Sequence, residues 1–207
     1  DNLKTTVNTA LNTYASSIDL NKFGGRFKYS KILQIIDNAD RAITSNITKV
    51  RIRRNLKSLI NQFAQYELCF GNKFHINNNG YNIKSTGFYI SNETSIVYFT
   101  DVPNKNADGS LDGSGKGVLS VVKRSADGTY KVVVSSAGTI NYTKGEVRIN
   151  TINITSTEKE NNIIEIQAYP ESNDIVGLSD LYLSFSISDS TINMVKDVIS
   201  SGEDISG

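Results

Sequence analysis

The chain has 207 residues, a formal net charge of +1, 38% apolar residues and 21% charged residues. That length admits one large domain or two small ones, and near-neutrality excludes a charge-driven grip of the whole chain on nucleic acid or a membrane surface. A single Cys69 excludes an internal disulfide and a Cys-based zinc site, and a single His75 excludes a two-histidine metal cluster within one chain.

The sequence opens at Asp1 inside a helical pattern, without an initiator Met or a signal-peptide pattern, and is expected to be a piece of a longer polypeptide. Leu3, Val7, Ala10, Leu11, Tyr14, Ala15 and Ile18 recur at three- and four-residue spacing and draw one apolar stripe along a first helix. Gly24-Gly25 ends it. Ser30 is placed to cap a second helix carrying Ile32, Leu33, Ile35, Ile36, Ala39 and Ile43. NITKVRIRR, Asn46 to Arg54, then alternates: Val50 and Ile52 on one side, Lys49, Arg51 and Arg53 on the other, the pattern of a half-buried strand. Residues 1–60 thus read as a helix–helix–strand unit.

Residues 61–190 change character. Short Tyr-, Phe-, Val- and Ile-rich runs alternate with Gly, Asn and Asp clusters, which predicts a mainly antiparallel β body of sandwich or distorted-barrel type. Asp127-Gly128 between two Val-rich runs and Thr143-Lys144-Gly145 between INY and EVRIN predict two hairpins. Pro103–Gly117 is a loop by composition. Residues 191–207 carry a final short helix, Ile192–Ile199, and a tail. The expected class is α+β: a small N-terminal helical unit ending in a strand, a larger β body and a short C-terminal helix. No stretch reaches the ~18 apolar residues of a membrane-spanning helix.

Several patterns invite a chemical reading. Asn104, Asn106, Asp108, Gly109, Ser110, Leu111 and Asp112 follow the spacing of a calcium loop, but its twelfth position is Gly115 rather than a bidentate acid, so a solvated hairpin loop is favoured over an ion site. The basic strand Lys49, Arg51, Arg53, Arg54 and Lys57 could meet phosphate, a wet sheet face, or a partner protein with an acidic surface, the last favoured over phosphate. His75 has no G-x-S-x-G elbow to serve, GSGKG at Gly113–Gly117 lacks P-loop spacing, and Cys69 sits in the apolar run FAQYELCF as a buried, inert thiol. Glu158 with Glu160, and Glu203 with Asp204, fall in a charged turn and the tail. No catalytic, cofactor-binding or metal-binding residue is assigned, and no cofactor is implied.

VNTALNTYASSIDL followed by FGGRFKYSKILQIIDNADRAITSNITKVRIRR resembles the baseplate J-like family of contractile-tail phages, in its T-even-type baseplate wedge branch. GTINYTKGEVRINTINI at Gly138–Ile154 is similar to a hairpin of the same wedge proteins, as is YPESNDIVGLSDLYLSFSIS. The resemblance implies a structural virion protein and no enzyme. It implies a part of the tail baseplate assembled in the host cytoplasm, paired with other wedge proteins and with copies of itself in a dimer or ring. Neither nucleic acid nor membrane is among the expected partners. The runner-up is a receptor- or carbohydrate-binding β module that presents exposed Tyr; an enzyme ranks third.

Overall fold

The computed structural model describes residues 2–18, 20–179 and 182–196. Its first element is helix α1 (Asn2–Ala15), in which Val7, Leu11 and Tyr14 form the buried side. The threonines of the opposite side turn back on the helix: the Thr6, Thr9 and Thr13 hydroxyls donate to the carbonyls of Asn2, Thr5 and Thr9, at 3.0 to 3.1 Å. Such bonds compete with the helix ladder rather than reinforce it, so packing holds α1 in place. A short strand β1 (Arg26–Phe27) leads into α2 (Tyr29–Asp37). Ser30 lies inside the first turn of α2; the capping position is Lys28, which makes no side-chain cap bond.

The second helix stops well before Ile43. Asp40 accepts the Ala42 N–H at 2.8 Å, and Asn46 donates to the Asp37 carboxylate at 2.6 Å. These side chains offer the backbone local partners that a continuing helix cannot match. Ala39 and Ile43 still pack against the helical cluster, from a turn instead of a helix.

The remaining strands are β2 (Ile52–Lys57), β3 (Phe63–Cys69), β4 (Lys84–Ser85), β5 (Phe88–Ile90), β6 (Tyr98–Pro103), β7 (Lys116–Arg124), β8 (Tyr130–Asn141), β9 (Glu146–Thr157), β10 (Ile163–Ala168) and β11 (Ile175–Val176). All but β1 and β11 join one antiparallel sheet in the order β2-β10-β4-β6-β7-β8-β9-β3, with β5 pairing β9. Its two end strands, β2 and β3, are neighbours in the chain, so the sheet curls almost into a barrel. The class is therefore mainly β and not α+β. The strand expected at Asn46–Arg54 enters the ladder only at Ile52 and belongs to the barrel through β10.

Period-two alternation fills the barrel: along β10, Ile164, Ile166 and Ala168 are buried while Ile163, Glu165 and Gln167 are partly open. Phe88, Phe99, Leu119, Ile140 and Ile154 complete the centre. Both expected hairpins are present. Ser125 N–H donates to Thr129 O around Gly128 at φ 84°, and Gly145, φ 69°, donates to Asn141 O. Gly145 could be nothing larger, because a Cβ there would stand 2.0 Å from the Asn72 carbonyl oxygen.

The end of the chain returns to the helices. β11 pairs β1, Arg26 with Val176 and Phe27 with Ile175, and Leu183, Phe185, Ile187 and Ile192 pack on the cluster built by Val7, Leu11, Leu20 and Ile32. The expected C-terminal helix is not formed in its described part: residues 191–196 are irregular, and residues 197–199 lie outside the described residues. Ile192 packs on the helical cluster from an irregular segment, and Val195 is 88% exposed, without an apolar surface to face among the described residues. A helical stripe without a surface to bury supplies no stabilisation.

Candidate interaction surfaces

The helical unit buries one side of its helices and leaves large apolar side chains on the outside. Phe23 and Tyr182 meet with ring centroids 4.2 Å apart at a tilt of 42° and form an antiparallel bridge, yet they are 57% and 63% exposed. Ile18 is 80% exposed and Ile47 94%. Single exposed apolar residues are ordinary, but two adjoining aromatic rings held open to solvent make a candidate contact surface. Tyr182 was hidden in the sequence because its partner lies far upstream.

The basic segment is divided among different roles. Arg51 donates through Nε to the Tyr169 hydroxyl at 3.0 Å and covers the Tyr169 ring at 5.1 Å. Arg53 reaches Asp189 at 2.7 Å and Glu165 at 3.4 Å, tying the returning segment to the sheet. The Ser186 hydroxyl, and then Arg53, hold the Asp189 carboxyl below the usual carboxylate range. Lys49 and Lys57 are exposed. Arg54 is half-buried on the inward side of β2, between Ile52 and Leu56, and has no acidic partner among the described residues.

A third surface lies on the β body. Tyr81 and Tyr130, 42% and 50% exposed, stand 6.0 Å apart between ring centroids, and Tyr98 meets Tyr130 edge-on at 6.5 Å. Tyr81 adopts φ 62°, a conformation costly for a bulky residue. Its N–H donates to the Asp101 carbonyl while Gly80 presses against the same oxygen, and this turn fixes the ring beside Tyr130.

The calcium-like loop spends its acids on itself. Asp108 accepts from the Ser110 N–H and hydroxyl at 2.9 and 2.6 Å, and Asp112 does the same with Ser114 at 2.8 and 2.7 Å. These bonds lower both carboxyl pKa values. Among the described residues no group of three or more His, Cys, Asp or Glu could hold a metal ion. His75 is exposed and anchored by its backbone, donating to Tyr169 O and accepting from Asn82. Glu158 accepts the Gly87 N–H at 3.0 Å, and Glu160 begins a single 3-10 turn, so the two do not form an acid–base pair. Glu203 and Asp204 lie outside the described residues. Cys69 is half-buried on β3 rather than fully buried.

One carboxylate escaped the sequence reading. Asp101, fully buried, accepts from the Tyr142 hydroxyl at 2.7 Å and from the Ile83 N–H at 2.6 Å. Burial raises its pKa against those two donors, and burial with the adjacent carboxylate raises that of Tyr142. Both side chains are buried in the barrel wall. A shallow depression of about 680 Å³ beside Arg53, lined by Asn12, Asn21, Ser184 and Ser186, gathers amides and hydroxyls around an already paired cation. Its Ser186 hydroxyl is bonded to Asp189, a carboxylate held below the usual range by that hydroxyl and by Arg53 and so a poor base.

The helical unit is also where known proteins match. Residues 1–55 match the family described as "Baseplate structural protein gp6, C-terminal domain III". This similarity supports a phage baseplate structural protein. It spans α1, β1, α2 and the start of β2, and so contains Phe23, Ile47 and the basic residues Lys49 to Arg54. The hairpin at Gly138–Ile154 and the stretch from Tyr169 lie outside the matched residues. No curated protein matches the chain significantly. No helix among the described residues is long and apolar enough to cross a membrane.

Proposed function

We propose that the chain is a structural subunit of the baseplate of a contractile phage tail. It acts as a ring or wedge component through protein–protein contacts, in the manner of the T-even-type wedge proteins, and performs no catalysis. Its partners are other wedge proteins and further copies of itself. The observation that carries this reading is that the matched residues 1–55 include the exposed Phe23 and Ile47, with Tyr182 from the returning segment set against Phe23. Force-bearing contacts need large packed surfaces rather than reactive groups. The test is assembly of baseplate wedges from purified components. The unaltered chain should enter the particle, and the double variant Phe23→Ser, Tyr182→Ser should fold, by its circular dichroism, yet fail to enter it. Wedges that assemble equally well without the chain would end this reading.

The Tyr81–Tyr98–Tyr130 cluster favours a second reading, a carbohydrate-binding module in a tail or surface protein, since exposed rings stack on sugar faces. A glycan array on which Tyr130→Ala loses binding would favour it.

A further inference from the structure

Every neighbouring pair around the barrel is paired along its backbone, though β4 meets β6 at only one residue pair, except one: among the described residues no pairing joins β2 to β3. Consecutive antiparallel strands joined by a five-residue turn ordinarily close into a hairpin. Here the turn at 58–62 is drawn away to other partners. Ser58 donates backward to Asn162 O, Asn61, at φ 58°, donates forward to Ile154 O, and the Leu59 N–H goes to the Tyr66 hydroxyl. β2 is thereby held on β10 and β3 on β9. Their Cα atoms lie mostly more than 8 Å apart, where paired strands stand about 4.8 Å apart and one inserted strand requires about twice that spacing.

The backbone groups on both sides of this gap follow from the register. Ser58 bonds toward β10, so by period two Leu56, Arg54 and Ile52 do so as well, leaving the N–H and C=O of Arg53, Asn55 and Lys57 directed at the gap. On the other side Phe70 bonds to Gly145 O, which turns Leu68 toward β9 and Glu67 and Cys69 toward the gap. The β2 register against β10 runs without a bulge over all its residues. β8 pairs β9 only over Gly138–Asn141, and the edge it leaves open differs: its ladder to β7 shifts register twice between Leu119 and Val122, which twists that edge away from pairing.

Charge decides what fits. Arg54 sits on the inward side of the edge strand, half-buried and without an acid among the described residues, and Lys57 stands exposed at the strand's end. An inward cation on an edge repels a purely apolar strand, which would bury it unpaired, and admits one that brings a carboxylate. We propose that the gap between β2 and β3 is a strand-acceptor site, filled in the assembled baseplate by an extended acidic segment of a neighbouring protein. That segment hydrogen-bonds to both edges, sets a carboxylate against Arg54 and completes the barrel. This strand-addition mode draws affinity from main-chain bonds and specificity from the side chain opposite Arg54. The inference rests on the assembly reading above and gives that reading a second, separate contact.

Hydrogen exchange on the whole chain tests it, with an eight-residue peptide of alternating valine and glutamate as probe. At a peptide concentration near ten times its Kd, the amides of Arg53, Asn55, Lys57, Glu67 and Cys69 should exchange about tenfold more slowly, while those of Tyr130 to Ser136 stay unchanged. A peptide alternating valine and lysine should give no protection. Arg54→Glu should abolish the effect of the acidic peptide and, with the fold intact by circular dichroism, bar the chain from wedge particles, whereas Lys131→Glu on the β8 edge should enter them normally. Equal protection by both peptides, or none by the acidic one, overturns the site. So do wedge particles that contain the chain while the five amides exchange as fast as in isolation, an outcome that leaves the assembly reading standing.

Discussion

Asp101 shows how one buried side chain sets a pH dependence. Burial lifts its folded-state pKa above the ordinary carboxylate value, so the folded state binds this proton more tightly than the unfolded chain. The resulting stability is fully present below about pH 4, the unfolded value, and is lost as pH rises through the folded one. Asp101→Asn removes that titration. The urea midpoint of the natural chain relative to this variant should therefore be highest near pH 4 and fall toward pH 8; a constant difference would remove the claim. Tyr142→Phe takes away the phenol that offsets the buried charge and should cost about 1.5–3 kcal/mol at neutral pH. Glu93 titrates in the opposite sense, because Lys123 at 2.8 Å and the Ser95 N–H hold its carboxyl at about 2. Comparison with the Asn variant isolates Asp101 from such groups.

Among the elements, two apolar clusters divide the labour, and they should respond separately to damage. Leu11, 4% exposed, packs only in the helical cluster, and Leu11→Ala should cost that unit about 2–5 kcal/mol. Amides of α1 should then exchange faster while those of β7 and β8 keep their protection, measured by hydrogen exchange with peptide resolution. The segment 182–196 is tied down through Asp189, whose pair with Arg53 is half open to solvent and contributes about 0–1 kcal/mol. Asp189→Asn should therefore leave the thermal midpoint almost unchanged yet quicken proteolytic cleavage between Ser186 and Lys196. The elements that the sequence made legible are those whose signals are local: the stripe of α1, the Asp127-Gly128 and Thr143–Gly145 turns, and the alternation of the strands. Those that it hid depend on distant partners. Nothing in NITKVRIRR says that its ladder waits until Ile52, where β10 arrives from more than a hundred residues away. Nor does TINMVK reveal that Ile192 is claimed by a cluster at the other end of the chain.

For the molecule as a whole, sedimentation over a wide concentration range should show association that rises with concentration and weakens in Phe23→Ser, Tyr182→Ser. A single monomeric boundary throughout would count against copies of the chain as partners. The candidate surfaces were only partly readable. The basic residues were visible, but that Arg51 and Arg53 find internal partners while Arg54 meets no acid among the described residues depends on Tyr169, Glu165 and Asp189. The short clasp between β1 and β11 has a mechanical corollary. Arg26 and Phe27 grip Val176 and Ile175, so residues 28–174 form a loop shut by that grip. Tension applied between the chain's ends would load the clasp and α1 first, with the Asp189–Arg53 pair and the Asn72 bonds to Val176 passing part of it to the barrel before the clasp tore.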